Sequence, residues 1–181
     1  SRRRLLAHEG WHTLYFRDVE FRNYVSAVYH TMDQYSLQFL KDYFASQKNL
    51  GYDQNDEYLM QNEFMAYTMQ QPLNEVGKNF VNWSNWKSVF EYTPDLAAYV
   101  RNNKGRGFED AATALNEFVF DKYGIVCGNI AIVNKKQLKT VKYKLEKAIN
   151  SLEYELNKIE DSELRRIIRY KYEDDFSWVK I

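Results

Sequence analysis

Leu5-Leu6-Ala7-His8-Glu9-Gly10-Trp11-His12, followed by Leu14-Tyr15-Phe16, is the stretch from which the rest of the chain can be read. Residues four apart on an α-helix lie on one face, one turn up, so His8 and His12 project together. Two imidazoles placed that way can bind a single zinc ion at about 2.0–2.1 Å each. Glu9 lies beside them, where a carboxylate can take a proton from zinc-bound water. The apolar residues on either side predict a buried helix, from about Arg3 to Phe16, with its polar residues aimed at one site. The competing reading is a surface helix that carries two histidines by chance. Of the 3 histidines in the chain, two occupy this motif, which favours zinc.

A catalytic zinc keeps three protein ligands and one open position, so a third ligand is required, and three residues compete for the role. Asp18 lies six residues past His12, the spacing of families that reverse the chain just after the second histidine. That reversal needs a Gly three residues after the histidine. Tyr15 stands there instead, favouring a continuous helix that carries Asp18 out of reach. His30 sits on the next helix between Tyr29 and Thr31, with no spacing to support it. Glu63 lies in Asn62-Glu63-Phe64-Met65-Ala66-Tyr67, where apolar neighbours demand that a carboxylate be paired or metal-bound. The small Ala66 would let the two helices approach closely. Glu63 is the preferred ligand, the alternative for it being a solvated helix residue like Glu57.

Length and composition set the frame. A chain of 181 residues allows one domain, or one domain plus a small module, and 45% hydrophobic residues suffice for a core. No apolar run approaches the roughly 20 residues needed to span a bilayer, so no membrane role is expected. The single Cys127 excludes an intrachain disulfide framework and cannot make a thiolate zinc site alone. No signal peptide is visible, and the compartment stays open with the cytoplasm slightly favoured. The net charge of zero hides a division. Residues 1–133 carry 13 basic against 16 acidic residues, a net of −3, and residues 134–181 carry 12 against 9, a net of +3. Texture changes at the same seam, from Asn, Gln and aromatics to Lys, Glu, Leu and Ile at helical spacing.

The expected fold is therefore mainly α: a helical domain over 1–133 with zinc between two of its helices, then a helical hairpin module over 134–181. Asp18 or Asn23 is expected to open one long helix through about Ser46. Gln47–Asn55 reads as a polar loop, and a helix from about Asp56 to Gln71 stops before Pro72. Gly77–Ser84 reads as irregular. Helices are expected near Trp86–Tyr92, Asp95–Asn102 and Phe108–Tyr123, with Ile125–Val133 as the one strand or buried tail.

Leu-Ala-His-Glu-Gly-Trp-His at 6–12 with Asn-Glu-Phe-Met-Ala-Tyr at 62–67 resembles the gluzincin metallopeptidases, in which a HExxH helix pairs with a glutamate on a later helix. The resemblance covers residues 1 to about 70 through motifs, and reaches about 133 by continuity. It implies zinc ligands at His8, His12 and Glu63, Glu9 as general base, and hydrolysis of a peptide or protein substrate by an activated water. Tyr67 replaces the Asp that often follows the ligand glutamate by four residues. The residue that would orient a ligand histidine is then Asn62 or Asp33. A donor to the developing oxyanion is also needed, with Tyr67, Tyr29 and His30 considered in that order. The sheet that usually precedes such a helix is missing, so a zinc site is a firmer expectation than full peptidase activity.

In the second module, Gln137, Leu138, Val141, Leu145, Ala148, Ile149, Leu152, Leu156 and Ile159 follow a three-and-four spacing, a long amphipathic helix with a coiled-coil-like seam suited to oligomerisation. Asp161 caps a following helix, Ser162–Tyr172, and Ser177 signals another near the end. This tail resembles phage transcription regulators related to sigma-factor region four, in which a short helix precedes a helix-turn-helix. The helix that would enter the major groove is not in the sequence, and acidic residues offset Arg165, Arg166, Arg169 and Lys171. Nucleic-acid binding is thus a secondary expectation, beside a helical interaction hairpin and a phage-like regulatory protein.

Overall fold

The computed structural model describes residues 2–128 together with 147, 150, 154 and 158. The chain divides into two units, Ser1–Val133 and Asn134–Ile181. The amphipathic hairpin and the partial helix-turn-helix expected of the second unit lie outside the described residues. The first is mainly helical, with no strand among the described residues.

Among residues 2–128 eight α-helices follow in order: α1 (Arg2–Arg17), α2 (Val19–Thr31), α3 (Gln34–Ser46), α4 (Glu57–Met69), α5 (Val76–Ser84), α6 (Lys87–Tyr92), α7 (Pro94–Asn102) and α8 (Arg106–Tyr123). Aspartates set three of the starts. Asp18 Oδ1 accepts from the backbone N–H groups of Glu20 and Phe21, and Asp56 Oδ1 accepts from Leu59 N at 3.0 Å. Asp33 does the same for α3. Each side chain satisfies donors that a helix start leaves without partners.

The long helix expected from Asp18 to Ser46 is two helices. Met32 takes an extended conformation at φ −63° and ψ 169°, and Asp33 starts a new helix there. Packing explains the break. Gly107, in the first turn of α8, lies so close that a Cβ on it would sit 2.9 Å from Asp33 Cβ. The segment Gly77–Ser84, expected to be irregular, is helical as part of α5. Gly77 serves close approach there, because a Cβ on it would lie 2.7 Å from the Lys104 carbonyl oxygen.

α4 is the central helix. Met60 through Ala66, Thr68 and Met69 are all buried, so it is enclosed on nearly every side. α1 packs on it more extensively than any other pair of helices packs together. The two run antiparallel, pairing His8 with Tyr67, His12 with Asn62 and Tyr15 with Tyr58. Trp11 Nε1 donates to the Met69 carbonyl at 2.9 Å, which ties α1 to the C-terminal end of α4. The same carbonyl accepts from Gly128 N, so the first described residues of the Ile125–Val133 segment lie against α4 as a tail. On the far side, Phe80 of α5 stacks on Phe108 of α8 with centroids 3.6 Å apart, and Phe39 of α3 meets Phe108 edge-on. Among the described residues no helix is long and apolar enough to cross a membrane.

Candidate metal centre

α1 buries one stripe. Ala7, His8, Trp11 and Tyr15 face α4, while Leu5, Leu6 and Phe16 are exposed. The wholly buried helix expected from the apolar flanks is therefore a helix at the edge of the bundle. Trp11 and Tyr15, both fully buried, fill the contact with α4. That seating fixes the rotation of α1 and turns His8 and His12 toward α4.

Glu63 meets them there. Its Oε2 lies 3.6 Å from His8 Nε2, and its Oε1 lies 3.6 Å from His12 Nε2. All three residues offer a ligand atom within 4.8 Å of the others, a set that can hold a metal ion. Two zinc ligands at tetrahedral angles, each about 2.1 Å from the ion, stand roughly 3.4 Å apart, close to the spacing seen. The same distance is too long for hydrogen bonds. Glu63 is 6% exposed, and Oε2 has no hydrogen-bond partner. A buried carboxylate oxygen left in that condition is costly unless a cation completes it.

The imidazole orientation agrees with the metal arrangement. His12 Nδ1 lies 2.9 Å from Asn62 Oδ1, an oxygen that only accepts. The ring proton therefore sits on Nδ1, and the lone pair of Nε2 points toward the Glu63 carboxylate. With the ring neutral, Nε2 offers that lone pair to a cation shared with Oε1. Of the two residues considered for orienting a histidine, the structure places Asn62 at the site. Asp33 is occupied at the start of α3, where it accepts from Ser36 and from the Tyr99 hydroxyl.

Two tyrosines stand behind Glu63. Tyr67, one turn further along α4, presents its ring edge-on to His8 at 4.8 Å. Tyr52, from the loop before α4, is close enough to Tyr67 and Glu63 for both to raise its phenol. Burial first pushes both phenols above their ordinary range, with Tyr67 and then Glu63 adding to the rise at Tyr52 and the Glu63 charge to that at Tyr67, so both carry their protons. Tyr52 lies in a segment whose sequence reads only as a polar loop. With 15 tyrosines in the chain, nothing in the pattern singles it out.

The remaining expected residues fall elsewhere. Asp18 caps α2 and pairs with Lys122 at 2.9 Å, well apart from the histidines in role and partners. His30 is exposed and pairs with Glu57 at 2.7 Å. Tyr29 is buried against Phe64. Glu9 follows His8 on the exposed side of α1. Burial pushes the Cys127 thiol up to about 12, so it is a protonated core residue. Comparisons with models of protein families, with curated proteins and with solved structures find no match to this chain.

Proposed function

We propose that this protein is a zinc-dependent hydrolase of peptide bonds, with His8, His12 and Glu63 as the metal ligands and Glu9 as the general base. The observation that carries the reading is the buried Glu63 carboxylate, whose Oε2 is unpartnered and whose two oxygens each stand 3.6 Å from an imidazole nitrogen. Zinc held there would supply a Lewis acid and a water whose pKa is lowered to about 7.

The chain's own residues do the rest. Asn62 fixes the tautomer of His12, so Nε2 is available as a ligand. Glu9 is exposed and needs no partner within the core, which suits a group that must exchange protons with solvent and substrate. The exposed outer face of α1 gives a substrate access to the helix that carries Glu9, His8 and His12.

Metal analysis and a peptidase assay on the full chain test this. The purified protein should hold one zinc per chain. His8→Ala and Glu63→Ala should lose it, whereas Glu9→Gln should keep it and lose hydrolysis by about 10²–10⁴-fold. A protein that takes up no zinc at neutral pH ends the proposal. Full activity in Glu9→Gln ends the assigned mechanism.

A further inference from the structure

Helix α1 carries more than candidate ligands. Leu5, Glu9, His12 and Phe16 follow one another at spacings of four, three and four, so they fall within a sector about 60° wide on the helix surface. This stripe lies beside the one that packs on α4, formed by Ala7, His8, Trp11 and Tyr15. It sets the proposed general base and one proposed ligand between two apolar side chains. Both of those face outward, Leu5 being 61% exposed and Phe16 56%. The outer face of a helix at the edge of a bundle is ordinarily polar. Large apolar side chains on either side of a reaction centre are instead what a bound chain would cover.

The two ends of the stripe differ. At one end the rings continue outward from the site. Phe16 lies 6.4 Å from the His12 ring at 28°, and Tyr58 of α4 lies 6.5 Å from Phe16 at 29°, centroid to centroid. Tyr58 is itself 48% exposed. Arg22 holds this end in place, its Nη1 donating to the Tyr15 carbonyl at 3.0 Å and to the Phe16 carbonyl at 3.3 Å. Its guanidinium also lies 6.0 Å from the centre of the Tyr58 ring. The result is a fixed aromatic shelf. The other end offers the single aliphatic side chain of Leu5. From Leu5 to Phe16 the helix rises roughly 16 Å. An extended peptide advances about 3.3 Å per residue and shows the same face at every second residue, so side chains four residues apart stand about 13 Å from one another on one face. Flexible side chains reach across the remainder.

We propose that Leu5 on one side, and Phe16 with Tyr58 on the other, determine which peptide bond is cut. The substrate lies extended along α1, with apolar side chains about four residues apart and the scissile bond between them. Its side chain at the Phe16 end is aromatic by preference, because exposed ring faces and edges reward a ring placed against them. Contacts on both sides of the reacting bond require a substrate that runs on in both directions, so cleavage is internal to a chain. This rests on the zinc-hydrolase reading above. Losing one apolar contact of this kind should cost about 10–100-fold in kcat/KM. The loss should fall mainly in KM, since these side chains touch the substrate away from the reacting atoms.

The test is a cleavage profile, by mass spectrometry, of the zinc-loaded full chain on end-blocked peptides of mixed sequence. Leu5→Ser, Phe16→Ala and Tyr58→Ala are profiled beside it, with zinc affinity and melting temperature measured for each. The wild-type cuts should be flanked on both sides by apolar residues, aromatic on one side. Phe16→Ala and Tyr58→Ala should lose the aromatic preference, and Leu5→Ser the preference on the opposite side, each at wild-type zinc affinity. Cuts without flanking preference, or preferences that survive all three substitutions, overturn this track while leaving the zinc hydrolase standing. A Phe16→Ala chain that loses zinc, together with an unchanged profile in Tyr58→Ala, shows the rings to be structural and overturns it as well. A zinc-loaded chain that cuts no peptide overturns the hydrolase reading, and the track with it.

Discussion

Glu63 and Asp33 are two carboxylates drawn into the same bundle, and they are treated in opposite ways. Asp33 is saturated. Its Oδ2 accepts from Ser36 N at 3.0 Å and from the Ser36 hydroxyl at 2.6 Å, and its Oδ1 accepts from the Tyr99 hydroxyl at 3.0 Å. Glu63 is more deeply buried and less well served, with two imidazoles standing off at 3.6 Å and one oxygen without a hydrogen bond. A charge in a helical core is tolerable when donors surround it. Asp33 meets that condition within the chain and holds an architecture together. On the proposed reading Glu63 meets it with a bound cation, as a ligand rather than a cap.

The largest expected contrast comes from replacing each carboxylate. Glu63→Gln should abolish the stabilisation that zinc provides, which at a thousandfold excess over Kd is about 4 kcal/mol. Without metal, the same variant should melt at the wild-type temperature or above it, because an under-satisfied buried charge has gone. Asp33→Ala should behave in reverse, losing about 1–2 kcal/mol with or without zinc, since a helix cap and its partners are lost. Paired calorimetric scans with EDTA and with zinc read both. A Glu63→Gln chain that is strongly destabilised without metal would show that Glu63 is structural and erase the contrast.

Gly51→Ala sharpens the comparison on the metal side. Gly51 lies at φ +65°, and forcing a side chain into that left-handed region costs about 1 kcal/mol. Because the strain falls next to Tyr52, whose phenol stands close to Glu63, zinc affinity should drop along with the melting temperature. Affinity unchanged while the melting temperature falls would separate the loop from the site.

The smallest effect is on the acid limb of stability. Burial alone would raise the Asp33 carboxyl, but the hydrogen bonds from Ser36, Tyr99 and the Tyr35 backbone outweigh it and hold the group below its usual 3.8. A lowered pKa contributes stability that is present above the unfolded value and lost as pH falls through the folded one. Metal-free wild type should therefore lose stability below about pH 4, and Asp33→Asn should lose less over that range. Denaturant titrations at pH 3 and pH 5 measure the difference, and an equal loss in both proteins would contradict the assignment.

Helices with strong local punctuation are legible in the sequence. Asp56 before an apolar run and Pro72 after it bound α4, and the flanks of His8 and His12 mark α1. The break at Met32-Asp33 was harder to see, because apolar spacing continues across it. The cue was Asp33 three residues before Ser36, and the cause is the approach of Gly107 from a helix seventy residues away. α5 looked irregular because Gly77 weakens a helix in isolation, yet the crossing with Lys104 and Gly105 requires that glycine. The histidine pair and Glu63 were legible because spacing and polarity pointed to them. Tyr52 was not, since only folding brings that loop to the carboxylate.

The most direct test of the central claim is anomalous X-ray scattering at the zinc edge from crystals of the full chain grown with zinc. The account predicts one peak about 2.0–2.2 Å from His8 Nε2, His12 Nε2 and a Glu63 carboxylate oxygen. A peak at the exposed His30–Glu57 pair instead, or none between α1 and α4, would contradict it.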